Sequence, residues 1–185
     1  MRKLIYSMGV SLDGFVAGPG GEIDWSAPDE EQHRFHNEQM REVGVELCGR
    51  RLYEVMTYWD TADEDQSLPE HELEFARLWQ ATPKVVFSST LEQVGGNARL
   101  AKADVGDEVA ELKKQPGNDL AVGGAGLAAA CARLDLIDEY QLFVSPVVLG
   151  GGTPYLPALE ARIELELLET RTFASRVVYL RYRRA

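Results

Sequence analysis

The sequence predicts an α/β fold whose central sheet is mainly parallel and whose C-terminal edge is antiparallel. Two observations carry this reading. Strand-like apolar runs alternate with helix-period segments through the first three quarters of the 185 residues, which is the order that builds parallel βαβ units. Strands then dominate the end of the chain, where antiparallel pairing needs only short connections. No internal repeat, low-complexity tract or linker interrupts the pattern, so residues 1–185 read as one domain.

Residues 3–10 give a first, mostly buried strand. A glycine-rich loop from Ser11 to about Trp25 follows, long enough to be read as a lid or binding loop. Residues 28–43 are polar around Phe35 and Met40 and predict a partly exposed helix. Val45–Cys48 is a short strand ending at Gly49, and Arg50 to Tyr58 starts a helix whose buried side is Leu52, Tyr53, Val55 and Met56. The acidic stretch Asp60–Glu70 reads as a solvated loop, because the calcium-loop spacing and its central glycine are missing. Leu73, Ala76 and Trp79 place a helix over 70–80, and Pro83 precedes a strong strand at 84–87.

A weaker strand near 98–100 leads to a helix with Val105, Val109 and Leu112 on one face, ended by Pro116 and Gly117. Strand 119–122 runs into Gly123-Gly124-Ala125-Gly126, which opens a helix carrying Leu127, Cys131 and Leu134. The apolar run 139–149 breaks at Pro146, Gly150–Gly152 forms a loop, and runs near 163–170 and 176–183 predict a hairpin.

The bulk numbers exclude several classes. A formal net charge of −11 argues against a nucleic-acid partner. Apolar and charged contents of 45% and 26% are those of a soluble protein, and no apolar run is long enough to span a bilayer. Two separated cysteines, Cys48 and Cys131, make neither a disulfide framework nor a zinc pattern, and the start lacks a secretory signal, so a cytoplasmic location is expected.

In parallel sheets, ligands sit at the carboxyl ends of the strands. The residues there are Ser11–Ala17, Gly49–Arg51, Ser88–Thr90 and Gly123–Gly126, all groups rich in small, hydroxylic or cationic side chains. The glycine cluster admits two readings, a tight packing turn or a phosphate cradle on helix N–H groups. Arg50 and Arg51 offer two guanidinium groups to a phosphate dianion, or are surface arginines on a first helical turn. Ser88, Ser89 and Thr90 suit ribose or phosphate oxygens, or a turn cap.

Asp13 either bonds a substrate amide and helps deliver a proton, or folds its turn. Glu30 and Glu31 favour a helix start for electrostatic reasons, and burial in a cleft would raise either pKa toward acid–base work. His33 and His36 share a helix face without a third ligand, so no metal is expected. His71 reads as a surface residue.

Ser11-Leu12-Asp13-Gly14-Phe15-Val16-Ala17, Gly49-Arg50-Arg51-Leu52-Tyr53-Glu54 and Phe87-Ser88-Ser89-Thr90 occur in that order. Val122-Gly123-Gly124-Ala125-Gly126-Leu127 and Ser145-Pro146-Val147-Val148-Leu149-Gly150 follow. Together they resemble the dihydrofolate reductase-like superfamily, in the branch of the C-terminal reductase domain of the bifunctional riboflavin-biosynthesis deaminase–reductase and its stand-alone relatives. The resemblance implies a three-layer fold and an NADPH-dependent, dimeric reductase.

On that resemblance, Val122 and Gly123–Leu127 hold the pyrophosphate and nicotinamide ribose. Gly49, Arg50 and Arg51 sit near the adenosine 2′-phosphate and pyrophosphate, with Ser88, Ser89 and Thr90 alongside the adenosine. Val16 and Ala17 border the nicotinamide and Asp13 lies close to the reacting centre, while Asp29, Glu30 and Glu31 have no unique counterpart, so Glu31 stays a catalytic candidate on its own residue type and position. Leu52 stands where folate-reducing members carry a threonine, and Asp24-Trp25 replaces their Pro-Trp pair. Both departures argue against folate itself. The expected reaction is hydride transfer to a pterin-like or 5-amino-6-ribosylaminouracil phosphate-like heterocycle. The rival is a dimeric NADP(H)- or nucleotide-binding protein without turnover.

Overall fold

The computed structural model describes residues 1–65, 67–160 and 162–185. Strand β1 (Leu4–Ser11) is followed by β2 (Phe15–Ala17), helix α1 (Glu30–Arg41), β3 (Val43–Gly49), α2 (Arg50–Met56) and α3 (Glu70–Ala81). Then come β4 (Lys84–Phe87), β5 (Ala98–Leu100), α4 (Val105–Lys114), β6 (Asp119–Gly123), α5 (Ala125–Arg133) and β7 (Glu139–Ser145). β8 (Thr153–Pro154), β9 (Leu165–Thr172) and β10 (Val178–Arg184) complete the chain.

Eight strands form one sheet in the order β5-β4-β3-β6-β1-β7-β10-β9. The first six are parallel, and β10 and β9 pair antiparallel at the edge. Side chains alternate across the strands. Leu47 and Val85 therefore join the core under α4 and α5, with Val109, Leu127 and Cys131. Their neighbours Cys48 and Val86 pack on the opposite side with Met40 of α1 and Trp79 of α3. The result is the three-layer arrangement expected from the sequence.

Local chemistry sets the helix starts. Asp29 caps α1 by accepting from the Gln32 N–H at 2.8 Å, and Asp104 caps α4 through the Asp107 N–H at 3.0 Å. The polar face of α1 is buried because α3 answers it. Asn37 Nδ2 donates to the His71 carbonyl at 2.8 Å and to Glu74 Oε2 at 2.9 Å. Phe35 meets Phe143, Phe173 and Tyr179 edge-on.

Five details correct the sequence reading, the first being Val55 of α2, which is 62% exposed and not on the helix's buried side. The Ser11–Trp25 loop contains β2, which pairs antiparallel with β8, and Leu134 lies beyond α5, 53% exposed. The acidic stretch holds two 3-10 turns pinned to α3: Trp79 Nε1 donates to Asp60 at 2.9 Å and Gln80 Nε2 to Asp63 at 2.7 Å. Gln66 of that stretch lies outside the described residues. His71 is not on the surface. Its ring packs edge-on against His33, centroids 4.9 Å apart.

Among the described residues, no helix is long and apolar enough to cross a membrane.

Candidate active site

β3 and β6 are neighbours, yet the chain leaves them in opposite directions. After β3 it moves outward to β4, and after β6 it passes through α5 to β7, beyond β1. Such a reversal opens a crevice at the carboxyl ends of a parallel sheet. The predicted groups lie on four contiguous strands there: Ser88–Thr90 after β4, Gly49–Arg51 after β3, Gly123–Leu127 at β6 and Ser11–Ala17 after β1. Cys48 is in register with Gly123, and a Cβ on Gly49 would lie 3.8 Å from Leu127 Cβ. Arg50 Nη1 donates to Thr90 Oγ1 at 2.7 Å, so two of the groups touch directly.

The glycines divide by physical cause. A Cβ on Gly123 would meet Leu52 Cδ2 at 2.2 Å and Glu46 Oε1 at 2.9 Å, so a larger residue would have to displace the ends of those two side chains. Gly124 has φ +88 and caps α5 with no side-chain hydrogen bond, a backbone that only glycine adopts readily. Gly126 is different. A Cβ there would meet nothing within 4 Å. Neither packing nor backbone requires glycine at 126, and the first turn of α5 is open to close approach there. Val122 and Leu127 are buried in the core and support this turn.

Around the cradle, Arg50 is exposed and also donates from Nε to Glu54 at 2.7 Å. Arg51 is exposed and makes no ion pair or hydrogen bond among the described residues. Ser88 Oγ accepts the N–H groups of Thr90 and Leu91 at 3.1 and 3.0 Å, a turn cap, while Ser89 and Thr90 are exposed. Val16 points into the core and Ala17 lies in the β2–β8 pair. The residues thus fit a nicotinamide dinucleotide: a glycine turn without a side-chain cap for the pyrophosphate, the exposed Arg51 guanidinium without a partner among the described residues, and exposed hydroxyls at Ser89 and at Thr90, which Arg50 bonds.

Both predicted acids are held by hydrogen bonds within the protein. Asp13 accepts from Ser11 Oγ at 2.7 Å and from the Leu149 and Gly150 N–H groups at 3.1 and 2.7 Å. The Ser11 hydroxyl and these backbone donors hold its pKa below the usual carboxylate range. It is a clamp between the loops after β1 and β7. Glu31 accepts from the Ala174 N–H at 3.0 Å and pairs with Arg171 at 2.9 Å; the two lower its pKa. That is a correction: Glu31 is an exposed anchor for the turn after β9, and the burial that would raise its pKa is absent. Glu30 pairs with Arg34 at 2.8 Å and is likewise exposed and lowered.

Sequence reasoning missed the acid that the crevice does hold. Glu46 shares the sheet face of Cys48 and lines a cavity of about 300 Å³ with Ser7, His33, His36, Gln39 and Trp59. Burial pushes its pKa up to about 7, against the opposing pull of Lys84. The Lys84 ammonium is itself bonded to the Trp79 and Thr82 carbonyls. Burial lowers the His36 pKa to about 4, leaving a neutral imidazole. The only signal for Glu46 in the sequence was its parity with Cys48 in a short strand.

The family model described as the RibD C-terminal domain matches residues 2–179. The uncharacterized protein YyaP of Bacillus subtilis (strain 168) is 35% identical over 182 residues, covering 98% of this chain and 94% of YyaP. A crystal structure of a putative riboflavin biosynthesis protein from Shewanella sp. PV-4 superposes with TM-score 0.75 at 23% identity, covering 100% and 99% of the two chains. Dihydrofolate reductase from Enterococcus faecalis, complexed with NADP(H), superposes with TM-score 0.63 at 14% identity over 98% and 96%. These two likenesses speak to the fold.

Proposed function

The chain belongs to the RibD C-terminal domain family, and from that premise we propose that it is an NADPH-dependent reductase of a small heterocyclic substrate. The observation that carries the proposal is the assembly of four small, hydroxylic or cationic groups at one reversal of the sheet, with Gly126 facing open space. The fold it shares with an NADP(H)-complexed dihydrofolate reductase supports the choice of cofactor.

Bound there, the cofactor would supply a hydride for a C=N or C=O bond. The backbone at Gly124–Gly126 would hold the pyrophosphate. Arg51, with Arg50, would hold the phosphate that distinguishes NADPH from NADH, and Ser89 and Thr90 would line the adenosine end. The 11–17 loop, fixed by Asp13 to Leu149 and Gly150, would border the nicotinamide and exclude water.

One observation favours the rival, a nucleotide-binding protein without turnover. Asp13 and Glu31 are both occupied acceptors with lowered pKa values, so neither has a proton to give at neutral pH. The deciding experiment titrates NADPH and NADH into the wild-type chain and into an Arg50→Ala/Arg51→Ala variant, then follows NADPH absorbance with a panel of pterins, aminouracils and simple carbonyls. Selective loss of NADPH binding in the variant, by about tenfold or more, together with turnover of a panel member, is the expected result. Unchanged NADPH affinity would remove the arginine assignment. Tight NADPH binding with no oxidation across the panel would favour the rival.

A further inference from the structure

We infer that the cavity between α1, α3 and the sheet is the substrate pocket, that Glu46 is its polar anchor, and that its substrate is an unphosphorylated planar heterocycle presenting a pair of N–H donors. This rests on the reductase reading above.

The first support is an unspent carboxyl. Glu46 makes no side-chain hydrogen bond or ion pair among the described residues, yet it faces the cavity. A partly buried carboxyl with no partner costs free energy that a ligand's N–H groups would recover. His33 repeats the pattern on the opposite wall: it is 8% exposed, and its Nδ1 lacks a hydrogen-bond partner.

The second support is position. Glu46 Oε1 is 2.9 Å from where a Cβ on Gly123 would stand, so the carboxyl abuts the strand end that opens the cofactor cradle. A group held by Glu46 therefore lies beside that cradle. Around it the lining is largely apolar, from Met40, Met56, Trp59, Phe75 and Trp79, side chains that suit the faces of a ring.

The third support concerns charge. Among the described residues, no lysine or arginine lines this cavity. The adjoining cavity, which shares Ser7 and Gln39, has one cation among the described residues, Arg181, and it is paired with Glu139 at 2.8 Å. Glu38, Glu42, Asp119 and Glu169 surround it. A phosphate dianion placed in either cavity would lack the charge-assisted donors such groups need and would face carboxylates. The ribose phosphate of the riboflavin-type substrate has no seat here.

The test uses 6-methylpterin as the unphosphorylated probe and 5-amino-6-ribitylaminouracil phosphate as the phosphorylated one. Binding of each to the wild-type chain and to Glu46→Gln is read from the fluorescence of Trp59 and Trp79, and NADPH is titrated separately into the same samples. The expected result is that the pterin binds the wild-type chain, binds at least as tightly as the phosphate, and loses about tenfold or more in Glu46→Gln. Absence of pterin binding, equal pterin binding to both chains, or a clear preference for the phosphate would each overturn the inference. The preference between probes is measured on the wild-type chain and does not depend on how the variant folds. Should the pterin bind through Glu46 while NADPH fails to bind, the anchor stands and the cofactor assignment falls.

Discussion

Glu46 shows what one side chain contributes and why it escapes a linear reading. In Val45-Glu46-Leu47-Cys48 it looks like a single polar interruption of a strand; only the pairing of β3 between β4 and β6 puts it under α1 and α3. Asp13 and Glu31 were legible as polar residues near the site, but their roles were not. Apart from Ser11, their partners Leu149, Gly150, Arg171 and Ala174 come from segments more than a hundred residues away. Glu46 also makes a prediction about pH. Its folded-state pKa of about 7 lies above the ordinary 4.5, so between those values the folded chain binds the extra proton. Its contribution to stability is fully present below about pH 4.5, falls as pH rises, and is lost above about pH 7. Glu46→Gln does not titrate. It is expected to match the wild-type chain near pH 5 and to exceed it near pH 8 by up to on the order of 3 kcal/mol, measured by denaturant unfolding at the two pH values. A wild-type chain that gains on the variant with rising pH would contradict the buried placement of this carboxyl.

Among the elements, the start of α5 was the most legible, because a glycine cluster between an apolar strand and an apolar helix has few uses. Which glycine serves which purpose was not legible, since the clash at Gly123 comes from Leu52 on α2. Gly126→Ala separates the two purposes. The added methyl meets open space in a helix, so the ligand-free chain should gain up to about 1 kcal/mol, while NADPH affinity should fall by about tenfold or more as the methyl blocks the approach. Thermal melting and NADPH titration of one variant check both halves. Unchanged affinity would leave the turn a packing device. The loop clamp gives a second prediction at this scale. Asp13→Asn removes an ionised acceptor from three donors, and the 11–17 and 146–152 segments should become more open to limited proteolysis while the rest of the sheet stays protected. Equal cleavage rates in the two chains would deny Asp13 that role.

For the molecule as a whole, strand alternation made the sheet and its antiparallel edge readable, because period and order survive without any knowledge of contacts. The short β2–β8 pair was not readable; two or three residues carry no period, and the burial of Tyr155 beside it depends on distant partners, stacking on Tyr6 with centroids 4.3 Å apart and donating its hydroxyl to the Tyr6 and Gln141 carbonyls. The edge bears on assembly. β9 is an outer strand with Leu165, Leu167 and Leu168 exposed at 39%, 51% and 40%, and apolar edge strands are ordinarily covered. We propose that a second copy covers it. Light scattering should give a dimer for the wild-type chain and a monomer for Leu167→Glu, and a monomeric wild-type chain would end that proposal. The central claim is that the reversal between β3 and β6 holds NADPH. A crystal structure grown with NADP⁺ tests it most directly. The expected result is the pyrophosphate against the Gly124–Gly126 backbone and the adenosine-side phosphate beside Arg50 and Arg51; a dinucleotide bound elsewhere, or a crevice that stays empty at saturating cofactor, would contradict it.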